Sequence, residues 1–531
     1  MSAAELTAGE GYDESNAMKA DPHAIDVYLA VGSVMDMAFG AVGATITRVE
    51  LTQYNVAGPF YPMAQHEQYF LEWYLHRAAV KVAGVFPSTF WESLVLQASS
   101  REPAILHVIL ALSAAHKQGM QDPLSSDVGN FTVDEQQKFM FQHYIKAIRY
   151  LQPFLSTQTL ESMHVALIFC LVSLCLEVTR GQYATCQVHL QSGMKLLKEI
   201  ADHSQAGDRD IIVPGPVYEF LNDDLIGAIF RLNIYSALFG HHFEQRYFVL
   251  CGVASEHLPE TFSSLKQARK HLDGLLGDIH FLSEQYYLRE SQSSSKPLSE
   301  LSCHQERIQA ALVAWLRTYK ASRTHSEAVP ESRDALADQL LRVYHTMATI
   351  MASSAMPSAG ELTFDQHTEA FNSMIVQILD ILKCASAITA SHLVSGYCTQ
   401  RFSFTADMGI ILPLYYTAIK CRVPRIRRQA VELLRFHTHK EGLLDGQLAA
   451  RIAEEVITAE GGSFFQHMLF ADSLPVDSIP SIEDLAVPVL PETNRLCRVQ
   501  VVLPSERADK VVIFLTRRME EGWYETIQRE C

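Results

Sequence analysis

FPSTFWESLVLQASSREPAILHVILALSAAH, residues 86–116, decides the fold class, because it holds two apolar stripes at helical spacing on either side of a polar elbow. Thr89 and Glu92 form the T-x-x-E of a capping box, and Phe90, Trp91, Leu94, Val95 and Ala98 follow on one face. Pro103 suits the first turn of a second helix, in which Ile105, Val108, Ile109 and Leu112 repeat the stripe as far as Gly119. The stretch predicts an antiparallel helix hairpin with a buried seam and contains no evident catalytic group.

The same grammar extends along the chain. Residues 139–155 (FMFQHYIKAIRYLQPFL), the run from Thr159 to Asp202 and residues 221–240 (LNDDLIGAIFRLNIYSALFG) are periodic apolar segments bounded by Pro, Gly or Asn/Asp/Ser. Period-two alternation is confined to TRVEL at 47–51 and RVQVVL at 498–503, and no repeat of solenoid length appears. The predicted class is therefore all-α, a large multi-helix bundle of antiparallel helix hairpins. Phe90, Trp91, Leu112, Leu167, Leu171 and Leu174 are its expected core. An atypical segment is expected over 1–58 and one helical domain over 59–531, with a Ser-rich mobile loop at 289–302 (RESQSSSKPLSELS).

Composition narrows the function. A formal net charge of −17 over 531 residues disfavours direct contact with a nucleic-acid backbone. The first residues are acidic where a presequence would be basic. Of two apolar runs, 27–46 is interrupted by Asp36, and 165–176 is shorter than the about 20 residues a membrane span needs, so no membrane role is expected. The ten cysteines begin at Cys170 and include no C-x-x-C pair, which argues for single buried thiols rather than a zinc site. No Walker A loop, G-x-G-x-x-G, H-E-x-x-H or G-x-S-x-G is present, so no cofactor is expected.

Five stretches in order carry a family resemblance: residues 86–116; HYIKAIRYLQPFL (143–155) with the segment 161–197; FSSLKQARKHLDGLLGDIHFL (262–282); ILPLYYTAIKCRVPRIRRQAVELLR (411–435); and EGLLDGQLAARIAEEVITAEG (441–461). Over roughly residues 60–531 the chain resembles the middle and C-terminal regulatory region of fungal binuclear zinc-cluster transcription factors. Members of that family usually begin with six cysteines that hold two zinc ions and set a helix in the DNA major groove. With no cysteine before Cys170, the expectation here is a regulatory body lacking that module. The resemblance implies a nuclear or nucleocytoplasmic co-regulator of fungal metabolic genes, including secondary-metabolite clusters, working through protein partners, a small-molecule effector or an apolar metabolite. Homodimerisation is an open alternative, as is loss of an upstream zinc-cluster exon from the gene.

A rival reading is a helical body recruited as a cofactor-independent cyclase, isomerase or lyase, in which His164, His189, His241, His242 and Glu244 line a cavity as general acid and base. Packing roles explain those residues more simply, since adjacent helical positions point about 100° apart. Glu177 and Arg180 read as an ion pair at a helix junction. His437 and His439 read as a helix end rather than a metal pair, so no metal is expected. Lys420, Arg422, Arg425, Arg427 and Arg428, continuing to Arg435 and Lys440, form the one dense basic run. It reads either as a solvated helix face or as an import or docking patch.

Overall fold

A computed structural model describes residues 63–120, 132–157, 159–202, 211–212, 221–241, 247–249, 258–290, 297–323, 333–356, 360–393, 403–436, 439–461, 464, 480, 482–485, 487–503, 510–520 and 523–531. The described residues are mostly helical. Helix α1 (Gln65–Trp73) widens into a π turn at Tyr74–Ala78 and continues as α2 (Ala79–Ala83). A second π turn at Phe90–Leu94 opens α3 (Val95–Ser99), and α4 (Pro103–Met120) packs back against it as the hairpin spacing predicts. Then come α5 (Val133–Thr157), α6 (Leu160–Arg180) and α7 (Tyr183–Asp202).

Local chemistry sets these boundaries. Thr132 and Glu135 close a reciprocal capping box at α5, with Glu135 accepting from the Thr132 amide at 2.8 Å and the Thr132 hydroxyl accepting from the Glu135 amide at 3.2 Å. Thr159 and Ser162 do the same at α6, which ends at Gly181 in the left-handed region, φ 80°. Glu177 and Arg180 pair at 2.6 Å across that last turn. The apolar run 165–176 lies within this 21-residue helix, apolar and long enough to cross a membrane, but 94% of its apolar window is buried by protein.

One expected device is absent. Thr89 does not cap its own helix; its amide donates to Asp224 Oδ2 at 3.1 Å and its hydroxyl bonds the same oxygen, while Glu92 faces Arg333. A carboxylate held 135 residues away, at the start of α8 (Asp223–Phe239), outcompetes the local partner.

The second half adds β1 (Ile211–Ile212) paired with β2 (Phe248–Val249), then α9 (Leu265–Glu290), α10 (Leu298–Arg323) and α11 (Arg333–Ser354). A 3₁₀ turn at Gly360–His367 leads into α12 (Thr368–Leu393). The ends of the expected loop at 289–302 are thus helical, and only 291–296 lie outside the described residues. Strand β3 (Ser403–Thr405) runs parallel to β4 (His439–Glu441), which pairs antiparallel with β5 (Leu444–Asp445). Around them lie α13 (Ile411–Lys420), α14 (Pro424–Phe436) and α15 (Gly446–Gly461); a short α16 (Ile482–Leu485) follows.

The chain closes with a feature the all-α reading understates. Strands β6 (Leu496–Val502), β7 (Val512–Arg518) and β8 (Tyr524–Glu530) form an antiparallel meander. RVQVVL is its first strand; TRVEL lies outside the described residues. All six predicted core residues are at most 3% exposed, within one continuous apolar cluster running from Phe70 to Leu515.

An ion network ties the meander to the helices. Glu460 on α15 is fully buried between Arg422 at 2.8 Å and Arg427 at 2.7 Å, and accepts the Leu496 amide at 2.7 Å. Arg422 also pairs with Glu361 at 2.9 Å, and Arg495 grips Asp365 through two bonds of 2.7 and 2.8 Å. Burial alone would raise the Glu460 carboxyl, but the two guanidiniums and the amide hold it below its usual range. Removing one member leaves an uncompensated buried charge, so Glu460→Gln and Arg427→Gln should each cost about 3–5 kcal/mol, whereas exposed Arg428→Gln should stay within about 0.5. Urea titrations followed by circular dichroism check this; equal midpoints for Arg427→Gln and Arg428→Gln would contradict it.

Candidate functional site

Helices and meander leave a pocket of about 270 Å³ where they meet, near the lower end of small-molecule sites, which begin around 300 Å³. The C-terminus of α8 supplies Ala237 and His241, and α9 supplies Tyr286 and Tyr287. The end of α11 supplies Met351 and Ser354, the 3₁₀ turn Phe364, α13 Tyr416 and Lys420, and the meander Arg498 and Tyr524.

Two glycines let the backbones come this close. Gly240, φ 96°, ends α8; a Cβ there would overlap the Val499 carbonyl, while the Gly240 carbonyl accepts the Val501 amide at 2.7 Å. Gly360, φ 63°, sits against the Glu492 carboxylate, which accepts the Glu361 and Leu362 amides at 2.8 and 3.0 Å. Each joins the strand side of the pocket to the helix side.

The pocket is lined mainly by apolar and aromatic surface, and its charges are matched. Lys420 is matched by Glu361 at 2.9 Å and lies over the Phe364 ring, and Arg498 is matched by Glu284 at 2.9 Å and lies over Tyr287. Arg518 faces Glu290 at 3.7 Å. Burial raises the phenols of Tyr286 and Tyr416, and pushes Tyr524 up to about 12, so all three remain protonated hydroxyls. Burial lowers the His241 imidazole to about 3, leaving it neutral. The Ser354 hydroxyl is buried with no hydrogen-bond partner among the described residues. Such a lining suits an aromatic or alicyclic molecule with hydroxyl or carbonyl groups better than a bare anion.

The sequence candidates are dispersed. His241 lines the pocket; His164 on α6 and His189 on α7 do not, and His189 is instead bonded to the Tyr144 hydroxyl at 3.0 Å in the core. The acid–base cluster proposed for the enzyme reading is therefore not assembled from these three, and His242 and Glu244 lie outside the described residues, as does His437. His439 stands 3.3 Å from Glu441 on β4. The basic run is neither a solvated face nor a continuous docking patch. Arg422 and Arg427 are 5% and 3% exposed inside the ion network, Lys420 is at the pocket and Lys440 is buried, leaving half-buried Arg425 with exposed Arg428 and Arg435 toward solvent. Of the cysteines, Cys170, Cys175, Cys186 and Cys421 are buried thiols as expected, but Cys303 is exposed and Cys384, Cys497 and Cys531 are half-buried.

Residues 64–212 match the family model described as fungal specific transcription factor domain. No curated protein and no solved structure matches the chain. The match runs from α1 to β1, agrees with the resemblance read from the sequence, and supports a transcription-regulator-like role. The pocket is built wholly from residues that follow the matched segment.

Buried imidazoles set the acid stability of this framework. Burial lowers His116 and His164 to about 4 and His143, His189 and His241 to about 3, whereas an unfolded imidazole titrates near 6.5. The unfolded chain takes up these protons first, so stability is intact above about pH 6.5 and falls as pH drops toward the folded values. The slope is up to about 1.4 kcal/mol per pH unit for each histidine. Glu102, Glu177 and Asp273, which burial raises, work the other way but are fewer. The urea midpoint should therefore fall steeply between pH 7 and pH 5; a flat profile there would contradict the burial of these rings.

Proposed function

We propose that this protein is a transcription regulator whose output is set by a small apolar metabolite bound between its helical body and its C-terminal meander. The carrying observation is the fungal specific transcription factor domain at 64–212. The effector part rests on the pocket, with its matched charges, protonated tyrosines and unpartnered Ser354 hydroxyl. A net charge of −17 and burial of the central arginines of the basic run favour action through protein partners rather than direct DNA contact. In this reading the chain works in the nucleus as a co-regulator of metabolic genes, with a secondary-metabolite cluster as a fitting setting.

The test tethers the full chain to a heterologous DNA-binding domain on a reporter promoter. The wild-type fusion should change reporter output when the growth medium changes. Ala237→Phe, which fills the pocket from α8, should fold normally and fix the output at one level. An output equal to that of the tether alone would overturn the regulator reading. A normal medium response from Ala237→Phe would overturn the effector reading.

A further inference from the structure

A second constellation lies far from the pocket in sequence and contributes nothing to its lining. Glu67 on α1, His107 on α4 and His143 on α5 bring three potential donor atoms within 4.8 Å of one another. His107 Nδ1 stands 3.1 Å from His143 Nδ1, and Glu67 Oε1 stands 3.7 Å from His143 Nε2. Nδ1 and Nε2 of one imidazole point apart, so His143 can offer an ion only one of these two nitrogens, and the three donors must draw in from a spacing within 4.8 Å to the about 3.3–3.6 Å that separates donors on a tetrahedral zinc ion with bonds of about 2.0–2.2 Å.

His107 and His143 share a hydrogen bond through their Nδ1 atoms, which a bound ion would replace. The distance from Glu67 to His143 is too long for a hydrogen bond. Glu67 is oriented by its other oxygen, which accepts the Ala64 amide at 3.0 Å at the start of α1, so Oε1 is left toward the imidazoles. Phe139 stacks on the His143 ring at 4.0 Å and Tyr150 lies 5.5 Å from His107, which fixes the ring planes. Glu67 and His107 are half-buried and His143 is buried, so the group is sheltered on one side and open to solvent on the other.

We propose that Glu67, His107 and His143 form a site for a divalent transition metal of the zinc class, with water completing the coordination, and that the ion pins α1 to the α4/α5 hairpin. Two histidines and one carboxylate on three separate helices are the donor set that zinc and its neighbours accept with a fourth position open. The ion's role here is a clasp within the transcription-factor domain; the inference is independent of the effector pocket.

The experiment uses the tag-free full chain, stripped with chelator and dialysed. Calorimetric titration with Zn²⁺ should show one equivalent bound, and the melting temperature should rise on adding it. His107→Gln and Glu67→Gln, both at half-buried positions, should keep the helical circular dichroism and lose affinity by about tenfold or more. Co²⁺ added to the wild type should give the intense visible bands of a low-symmetry nitrogen and oxygen site. No bound equivalent, or equal affinity in both folded variants, would overturn the proposal. If the variants misfold, the wild-type Co²⁺ spectrum decides, and weak octahedral bands like those of the aqueous ion would overturn it.

Discussion

A carboxylate with no access to water holds this molecule together. Glu460 is buried with two guanidiniums and a strand amide, and each partner comes from a different part of the chain: Arg422 from the link after α13, Arg427 from α14 and Leu496 from the first strand of the meander. Desolvating a carboxylate and two guanidiniums costs several kcal/mol per ion, and only full pairing offsets it. The arrangement is therefore all-or-none. Helices α13 to α15, the 3₁₀ turn carrying Glu361 and Asp365, and the meander must assemble in one register or leave charge stranded.

That register also makes the pocket. Once Leu496 is anchored, β6 runs past the end of α8 at a distance only Gly240 tolerates, and Glu492 caps the 3₁₀ turn against Gly360. The cavity is the space left where a flat strand edge meets converging helix ends. Its cations are paired through the same network: Glu361 serves both Arg422 in the core and Lys420 at the pocket wall. The pocket wall and the buried network are thus continuous, linked from Lys420 through Glu361 and Arg422 to Glu460.

How much of this was legible in sequence follows from the range of each interaction. The hairpin at 86–116 and the core positions Phe90, Trp91, Leu112 and Leu167 could be read because helical periodicity is local. RVQVVL announces one strand, but neither VIFLTRR, which pairs with it, nor YETIQRE, which pairs with VIFLTRR, shows a clean period-two alternation. The basic run was misread for the same reason. Nothing near Arg422 shows that Glu361, 61 residues before it, and Glu460, 38 residues after it, converge on its guanidinium. Thr89 and Glu92 matched a capping box by spacing, yet Asp224 took the threonine. His107 and His143, 36 residues apart on facing helices, were invisible as a pair. Of the five stretches that carried the family resemblance, the family match covers 86–116 and 143–155 with 161–197, within residues 64–212.

The account stands or falls on whether the seam between helices and meander receives a ligand. Hydrogen exchange of the full chain, with and without the low-mass fraction of an extract of its source cells, addresses this directly. Ligand in the pocket should slow exchange together at the end of α8, at Tyr286 and Tyr287, at Met351–Ser354 and along β6, leaving α4 to α7 unchanged. Protection confined to α4 to α7, or no protection with any fraction, would contradict it.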